Sequence, residues 1–237
     1  MTYQKSSEFY DEIYSYKDYK RESEKVHRII QDHKKTAGRS LLDVACGTGN
    51  HIQYLKRRYH VEGLDLNSRM LNIAKKKHPE VKFHRANMIG FDLGKKYDAI
   101  TCLFSAIGFV KTVSNLNRAI ASMARHLHPG GVLVLEPWLS PRIFKTGTLH
   151  AILVDKPNIK IARIATGAVK NQRRISLNYM HHLVGTRANG VKYFVERLEL
   201  GLFTKQNYLD AFHRSGMKVQ YDPKGLIGRG LYVGIKT

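Results

Sequence analysis

The chain has 237 residues, of which 43% are hydrophobic and 10% aromatic, so it carries enough apolar material to fold around a core. Forty Lys and Arg against nineteen Asp and Glu give a formal net charge of +21, which favours anionic ligands without choosing among nucleotides, RNA and lipids. No run of about 18 apolar residues and no apolar signal core occur, which argues against a membrane span and predicts a cytoplasmic protein. The two cysteines, Cys46 and Cys102, fit neither a disulfide framework nor a metal site, and no metal is expected.

Residues 1–37 combine aromatic rings with charged side chains and end in a helical pattern. Tyrosines at this density, among them Tyr3, Tyr10 and Tyr19, suit a lid, because a ring can cover a bound ligand while its hydroxyl keeps a polar contact. Ordinary helix packing is the alternative for any single tyrosine. The segment therefore predicts an amino-terminal lid and a helix that ends at Gly38.

A glycine turn follows the first strongly apolar run. Residues 41–45 lead into Gly47 and Gly49, which let the backbone turn sharply and approach a ligand. The third glycine of a dinucleotide-binding G-x-G-x-x-G motif is missing, because Ile52 stands in its place. The next apolar run ends at Asp65, and an acid at that strand end is placed to hold both hydroxyls of a ribose. The pattern therefore predicts a nucleoside site without the pyrophosphate of a dinucleotide.

Apolar strands alternate with amphipathic helices from this point onward, which predicts an α/β fold: a doubly wound, mostly parallel, Rossmann-like sheet with helices on both faces. The predicted strands are 41–45, 60–65, 81–86, 97–103 and 131–136, and the predicted helices are 49–58, 67–77 and 113–127. Ligands of such sheets bind at the carboxyl ends of the strands. Four segments fall at those ends and should line one cleft: Gly47, Asp65, Asn87-Met88 and Phe104-Ser105.

The pattern changes after the fifth strand. Strand-like runs at 148–155, 159–169, 173–184 and 191–202 are separated by Pro157-Asn158, Asn171-Gln172 and Asn189-Gly190. These turn signals predict an antiparallel β insertion over the substrate pocket. A helix at 204–215 and strands at 217–221 and 230–236 then close the first sheet. We therefore divide the chain into a lid (1–37), a cofactor-binding domain (38–146 and 204–237) and an insertion (147–203).

Several motifs together resemble a known family. D-V-A-C-G-T-G at 43–49 and G-L-D-L-N-S-R-M-L at 63–71 resemble the glycine motif and acidic loop of class I S-adenosylmethionine-dependent methyltransferases. F-S-A-I-G at 104–108, V-L-E-P-W at 134–138 and G-R-G-L at 228–231 follow in an order that resembles a narrower group. That group comprises the N,N-dimethyltransferases that complete dimethylamino sugars such as desosamine and mycaminose on a dTDP carrier.

The resemblance implies a set of site residues. Contacts to S-adenosylmethionine are implied for Tyr19, Asp43, Ala45, Gly47, Thr48, Gly49, His51, Asp65, Leu66, Met70, Asn87, Met88 and Phe104. Contacts to the acceptor are implied for Tyr3, Tyr10, Ser105, Phe109, Trp138 and Arg229, and the fork of an arginine suits a diphosphate. Tyr19 would approach the methionine end of the cofactor, and Glu136, or a water that it holds, would orient the amine and receive its proton. An ordinary ion pair at a strand end is the alternative for Glu136.

The implied function is S-adenosylmethionine-dependent N-methylation of a small-molecule amine, foremost a dTDP-linked amino sugar. Phe109 departs from the family, in which a polar His or Tyr is expected near the acceptor amine, so a simpler amine such as glycine or sarcosine is an alternative. The charge of +21 admits an RNA or DNA methyltransferase, but the sequence has no N-P-P-Y type motif and no appended RNA-binding module. A protein that binds the cofactor without chemistry is the third hypothesis. A homodimer is a further expectation, and no membrane partner is expected.

Overall fold

The computed structural model describes residues 3–170, 172 and 174–237. The strands are β1 (Ser40–Val44), β2 (His60–Asp65), β3 (Lys82–Arg85), β4 (Tyr97–Cys102), β5 (Leu127–Leu135), β6 (Leu149–Lys156), β7 (Ile159–Lys170), β8 (Ile175–Thr186), β9 (Gly190–Gly201), β10 (Met217–Asp222) and β11 (Leu231–Lys236). The α-helices are α1 (Tyr10–Ile13), α2 (Tyr19–His33), α3 (Ile52–Leu55), α4 (Ser68–Lys77), α5 (Val113–Arg125) and α6 (Lys205–Arg214). Two 3-10 helices span Ser7–Phe9 and Ala106–Val110.

Seven strands form one mixed sheet in the order β10-β11-β5-β4-β1-β2-β3. Strands β1 to β5 pair in parallel, whereas β11 is antiparallel to both of its neighbours. The predicted α/β class with a mostly parallel sheet is confirmed. The chain leaves β1 in one direction towards β2 and later returns to its other edge with β4, and this reversal opens a crevice at the carboxyl ends of the two strands.

Helices cover both faces of the sheet because successive side chains of a strand point to opposite sides. Leu41 packs with Val26 and Ile30 of α2 on one face. Leu42, its neighbour, packs on the other face in the cluster that includes Leu116 of α5. Every residue of β4 is buried, as expected for a central strand that is covered on both sides.

Three predicted elements have boundaries that differ from the structure by three residues or more. The helix predicted at 49–58 contains a regular α-helix only at Ile52–Leu55. Strand β5 begins at Leu127, four residues earlier than predicted, because Leu127 already pairs with Tyr97 of β4. The register then shifts, so that Ala99 pairs with Val132, and this irregularity accommodates the Pro-Gly-Gly segment within the strand. Helix α2 ends at His33 and not at Gly38, where a Cβ would instead collide with the Asp98 carboxylate.

The predicted antiparallel insertion is confirmed as a four-stranded sheet in the order β6-β7-β8-β9. The two residues Pro157-Asn158 join β6 to β7, as predicted. The next predicted turn begins at Asn171 and the next predicted strand at Arg173, and both residues lie outside the described part of the chain. In one cross-strand row, Arg163 of β7 pairs with His182 of β8, which pairs with Phe194 of β9. No described helix is both long enough and apolar enough to cross a bilayer.

Candidate active site

Two adjoining cavities open at the carboxyl ends of β1, β2 and β4. The larger has a volume of about 220 Å³, and the predicted site residues in its lining are Tyr3, Tyr10, Ala45, Gly47, Asp65, Leu66, Met70, Asn87, Met88, Phe104 and Phe109. The smaller has a volume of about 40 Å³ and shares Tyr10, Ala45, Gly47 and Phe104 with the first, while adding Tyr19, Asp43, Thr48 and His51. Four chain segments therefore meet at one cleft.

The glycine turn forms the floor of this cleft. Ala45 and Gly47 both have positive φ angles, of 59° and 56°. The Gly47 N–H donates a hydrogen bond of 2.9 Å to Asp65 Oδ2, which ties the turn to the end of β2. Chain neighbours aside, no described atom lies within 4 Å of the point where a Gly47 Cβ would stand. A ligand can therefore approach the backbone at this position, and a side chain would occupy its space.

The Asp65 carboxylate is fixed by backbone donors. Besides Gly47, the Asn67 N–H donates to it, at 2.8 Å from Oδ1. Burial raises the pKa of Asp65, and these backbone N–H groups oppose the shift. Each carboxylate oxygen can accept a second hydrogen bond, so Asp65 presents two fixed acceptors to a diol such as a ribose.

The far end of the larger cavity is mainly apolar. Met70 and Met88 lie in its wall, and thioether side chains pack well against flat rings. The Asn87 side-chain oxygen accepts a hydrogen bond of 3.0 Å from the Ile89 N–H, which fixes the amide at the cavity edge. This end suits a neutral heterocycle with a polar edge.

The smaller cavity has polar walls that are held by α2. The Tyr19 ring meets His51 edge-on, with 5.0 Å between the ring centres, and His51 Nε2 lies 2.9 Å from Glu22 Oε2. Lys17 Nζ donates a 2.6 Å hydrogen bond to the same carboxylate. Although burial opposes ionisation of Glu22, the bonds from His51 and Lys17 hold its pKa below the ordinary value. The buried Tyr19 hydroxyl has no hydrogen-bond partner among the described residues, as expected for a group that meets a ligand.

Asp43 lies beneath the turn, inside β1. Its carboxylate accepts a 2.8 Å hydrogen bond from the Thr101 hydroxyl on the neighbouring strand β4. Burial raises the pKa of Asp43 to about 6, well above the usual range of an aspartate. A buried acid at this position adds negative potential below the small cavity when it ionises.

The amino-terminal segment covers the cleft and is tied down at both ends. Asp11 accepts hydrogen bonds from the Thr48 hydroxyl at 2.5 Å and from Lys77 Nζ at 2.7 Å, which anchor α1 to the glycine turn and α4. Glu196 of β9 accepts bonds from the backbone N–H groups of Lys5 and Ser6, at 2.9 and 3.3 Å. The segment therefore bridges the two sheets and holds Tyr3 and Tyr10 over the larger cavity.

Arg229, Ser105 and Trp138 form a cluster of their own and line neither cavity. Arg229 Nη1 donates a 3.0 Å hydrogen bond to the Ser105 hydroxyl, and its guanidinium lies 4.9 Å from the centre of the Trp138 ring. The Trp138 indole N–H donates to the Ser176 hydroxyl at 3.0 Å, so the inserted sheet helps to orient the ring. Phe104 and Ser105 both have positive φ angles, an unusual pair for residues other than glycine, and strain of this kind is concentrated at functional sites.

Glu136 and Gly49 lie away from the cavity walls. Glu136 is 0% exposed, and its Oε2 accepts a 2.6 Å hydrogen bond from the Phe104 N–H. Its other oxygen has no partner in the described part of the chain. Burial raises the pKa of Glu136, and the nearby Lys17 ammonium opposes the shift. Gly49 faces His78, whose ring a Cβ would meet at 2.9 Å.

Comparison with known proteins agrees with this geometry. Residues 41–131 match the family described as "Methyltransferase domain". A dTDP-3-amino-3,4,6-trideoxy-alpha-D-glucopyranose N,N-dimethyltransferase from Streptomyces venezuelae is 36% identical over 221 residues, which cover 92% of each chain. The chain belongs to the dTDP-amino-sugar N,N-dimethyltransferase family. It is an S-adenosylmethionine-dependent methyltransferase, and the predicted family and cofactor are confirmed.

Solved structures resemble this methyltransferase over its whole length. Streptomyces venezuelae DesVI matches with a TM-score of 0.92 at 34% identity, covering 98% of both chains. S-adenosylmethionine-bound CalS10, an amino pentose methyltransferase from Micromonospora echinaspora, matches with a TM-score of 0.87 at 36% identity and covers 100% of this chain and 98% of its own. The antiparallel insertion is therefore a shared part of the fold and not an isolated addition.

Sequence reasoning missed three polar residues that hold the walls of the cleft: Asp11, Lys17 and Glu22. Tyr19 and Glu22 are three residues apart on α2, a spacing that puts both side chains on one helix face, so Glu22 had a detectable signal. The approach of Lys17 to Glu22 depends on the loop before the helix. The bond from Asp11 to Thr48 depends on tertiary packing, and nothing in the local pattern indicates it.

Proposed function

We propose that this methyltransferase methylates the amine of a nucleotide-linked amino sugar, with a dTDP sugar as the foremost candidate. The observation that carries the proposal is the Arg229 guanidinium beside the cofactor cleft, oriented by the Ser105 hydroxyl and the Trp138 ring. An oriented guanidinium pairs well with phosphate oxygens and with carboxylates, so it favours an anionic acceptor over an uncharged amine. The relative from Streptomyces venezuelae is named for a dTDP-amino-sugar substrate.

In this proposal the larger cavity holds the adenosine part of S-adenosylmethionine and the smaller cavity holds the methionine part. Asp65 would accept hydrogen bonds from the ribose hydroxyls above Gly47 and Ala45, and Asn87 would meet the adenine edge. Leu66, Met70 and Met88 would pack on the adenine ring, because they form the apolar end of the larger cavity. Tyr19, Asp43, Thr48 and His51 would surround the methionine part, and Gly49 would support the turn from behind. When bound, S-adenosylmethionine supplies a methyl group that is activated by the sulfonium charge.

The acceptor amine would lie where the lid meets the cleft. Tyr3 and Phe109 pack edge-on with 6.2 Å between ring centres, and Tyr3 and Tyr10 likewise with 5.3 Å, so aromatic rings and Phe104 dominate this wall. An amine attacks only in its neutral form, and an apolar wall lowers the pKa of an ammonium by disfavouring its charge. The same walls align the amine with the methyl group, and alignment is the main contribution that a protein makes to a displacement reaction.

Glu136 is the proposed acceptor of the proton that the amine releases. One of its oxygens is held by the Phe104 N–H, and Phe104 lines both cavities. The second oxygen is buried without a partner among the described residues, and because Glu136 lies behind the cavity wall, it would receive the proton through a water. Its raised pKa brings the group closer to the range of an effective general base.

The proposal is tested by offering the enzyme S-adenosylmethionine with a dTDP-3-amino sugar, with glycine and with bulk RNA in parallel. We expect the mass of the dTDP sugar to rise by one and then two methyl units, with little turnover of the other acceptors. Turnover of glycine or RNA alone would contradict the proposed substrate. Since nucleotide sugars and S-adenosylmethionine are metabolites of the cytoplasm, we assign the reaction to that compartment.

A homodimer through the outer face of the inserted sheet is part of the same proposal. Leu153, Ala162, Leu183 and Tyr193 form one cross-strand row on this face, and the Leu153 side chain is 77% exposed. Because the row is apolar across all four strands, a second copy of the sheet is a matching partner. Light scattering should give the mass of a dimer, and Leu153→Lys combined with Leu183→Lys should give a monomer. A wild-type monomer at tens of micromolar would contradict this part.

A further inference from the structure

One buried cation near the cleft lacks a counter-ion. Arg163 of β7 is 7% exposed, and Nη1 donates a 2.9 Å hydrogen bond to the Tyr14 hydroxyl. Its Nε is buried without a partner, and no carboxylate in the described ranges forms an ion pair with the guanidinium. An arginine cannot lose its proton, and a buried charge is unfavourable unless an opposite charge accompanies it. The missing partner is therefore an anion.

One acid in the neighbourhood of Arg163, Glu196, is already occupied. The charges of Glu196 and Arg163 both affect the pKa of His182, so the two side chains lie near each other beneath the inserted sheet. The Glu196 carboxylate, however, accepts bonds from the Lys5 and Ser6 backbone N–H groups and from the Ser6 hydroxyl. His182 adds no negative charge, since an imidazole is neutral or cationic, and burial lowers its pKa. Among the described residues, Arg163 thus has an aromatic ring and a hydroxyl as partners but no anion.

The ring of Tyr14 separates Arg163 from the wall of the larger cavity. The Arg163 guanidinium is 5.1 Å from the centre of the Tyr14 ring, which is 4.6 Å from Tyr10 and 5.0 Å from Phe104. Both of those rings line the cavity. Tyr16 lies close enough to both Arg163 and Arg229 to feel their charges. Desolvation raises the pKa of the Tyr16 hydroxyl, and the two guanidinium groups oppose this shift.

We propose that Arg163 binds the anionic part of the acceptor, with a phosphate oxygen as its partner, and forms with Arg229 a pair of cations for a diphosphate. This rests on the proposed function and extends it, since it assigns recognition of the acceptor's charge to the inserted sheet. Two guanidinium groups on different elements can hold two phosphate groups, because each guanidinium can donate two parallel hydrogen bonds to one phosphate. A neutral amino sugar without the nucleotide would leave Arg163 unpaired and would bind weakly.

The test measures binding of dTDP, and of inorganic pyrophosphate, by calorimetry in the presence of S-adenosylhomocysteine. For Arg163→Met we expect affinity for both probes to fall on the order of 10- to 100-fold. S-Adenosylhomocysteine affinity should stay within about twofold, because no cavity residue is removed. The matched control is Arg197→Met on the outer face of β9, where Arg197 pairs with Glu199, and this variant should bind dTDP like the wild type.

Two further measurements separate anion binding from a purely structural role. Removing an unpaired buried charge should leave the Tm of the free protein unchanged or raise it, and should reduce the rise in Tm that a fixed concentration of dTDP causes. Tyr14→Phe removes the hydrogen bond to Arg163 but keeps the guanidinium, so it should retain most of the dTDP affinity. A lower Tm for the free Arg163→Met protein with dTDP affinity intact would overturn the inference.

Failure of this inference is distinguishable from failure of the proposed function. A wild-type enzyme that methylates a dTDP-amino sugar, with KM unchanged in Arg163→Met, would refute the role of Arg163 alone. A protein that binds dTDP through Arg163 but methylates no dTDP-amino sugar would support the anion site and refute the proposed reaction. A wild-type protein that binds neither probe would overturn the inference.

Discussion

The Asp65 carboxylate accepts a hydrogen bond of 2.9 Å from the Gly47 backbone N–H. This bond joins the end of β2 to the turn after β1, so the acid and the glycine backbone present one surface to the larger cavity. The Asn67 N–H holds the other carboxylate oxygen at 2.8 Å. Asp65 is thus oriented before any ligand arrives, and this spares the ligand the entropy of fixing it.

Removal of the Asp65 carboxylate should weaken cofactor binding. For Asp65→Ala we expect the Kd of S-adenosylmethionine, measured by calorimetry, to rise on the order of 10- to 100-fold, because hydrogen bonds to a charged acceptor are lost. The control is Asp155→Asn on the insertion, where the aspartate pairs with Lys160 in an exposed position, and this variant should bind normally. An unchanged Kd for Asp65→Ala would place the ribose elsewhere.

The bonds of Asp11 should govern how fast the cofactor leaves. Asp11 ties the lid to Thr48 and Lys77, and the lid residues Tyr3 and Tyr10 line the cavity. Asp11→Asn should therefore raise the dissociation rate of S-adenosylmethionine roughly tenfold in a chase experiment, as expected for one lost charged contact. Glu8→Gln removes the same charge from an exposed lid position and should leave the rate unchanged. Equal rates for all three proteins would show that the lid does not limit release.

Asp43 should make stability depend on pH in a defined direction. Its folded pKa of about 6 lies above the ordinary 3.8, so between these values the folded chain binds more protons than the unfolded chain. Stability therefore falls as the pH rises through this window, by up to about 3 kcal/mol from this group. Urea unfolding at about pH 4 and about pH 7 should give a smaller loss on raising the pH for Asp43→Asn than for the wild type. An identical loss in both would contradict the assignment.

Glu136 should set the acid limb of the pH profile. Burial raises its pKa, so the group takes up a proton at a higher pH than an ordinary glutamate and then cannot accept one from the amine. For Glu136→Gln we expect kcat to fall on the order of 100-fold and the acid limb to disappear, with little change in KM. Glu80→Gln, at an exposed pair with Lys56, serves as control. Full kcat at every pH in Glu136→Gln would remove the residue from this role.

Most of the fold, and many of the residues that line the cleft, could be predicted from the sequence. Alternating strands and helices gave the parallel sheet because their periodicity is local, and Gly47, Asp65 and Asn87 could be named because strand ends are visible in the pattern. The network in which Lys17 and His51 bond to Glu22 could not be predicted from the sequence, since these residues meet only when the chain packs. The short α3 was also not visible in the local pattern, which predicts a helix over 49–58.

The contact of the inserted sheet with two residues implied for the acceptor could not be predicted from the sequence, for a physical reason. Trp138, Ser176 and Arg229 come from a strand end, the inserted sheet and the loop before β11, and their contact is fixed by the docking of the insertion. Arg163 looked like any other basic residue in a chain with a charge of +21. Only its burial distinguishes it, and burial of a single arginine cannot be read from a β-strand pattern that alternates imperfectly.

Methyl transfer to a nucleotide-linked amine is tested most directly with S-adenosylmethionine that carries a deuterated methyl group. The purified protein is incubated with this cofactor and a dTDP-3-amino sugar, and the sugar is analysed by mass spectrometry. The account predicts that one and then two labelled methyl groups appear on the amine nitrogen, while S-adenosylhomocysteine accumulates in matching amount. Intact cofactor and unlabelled sugar after prolonged incubation, with S-adenosylmethionine demonstrably bound at the glycine turn, would contradict it.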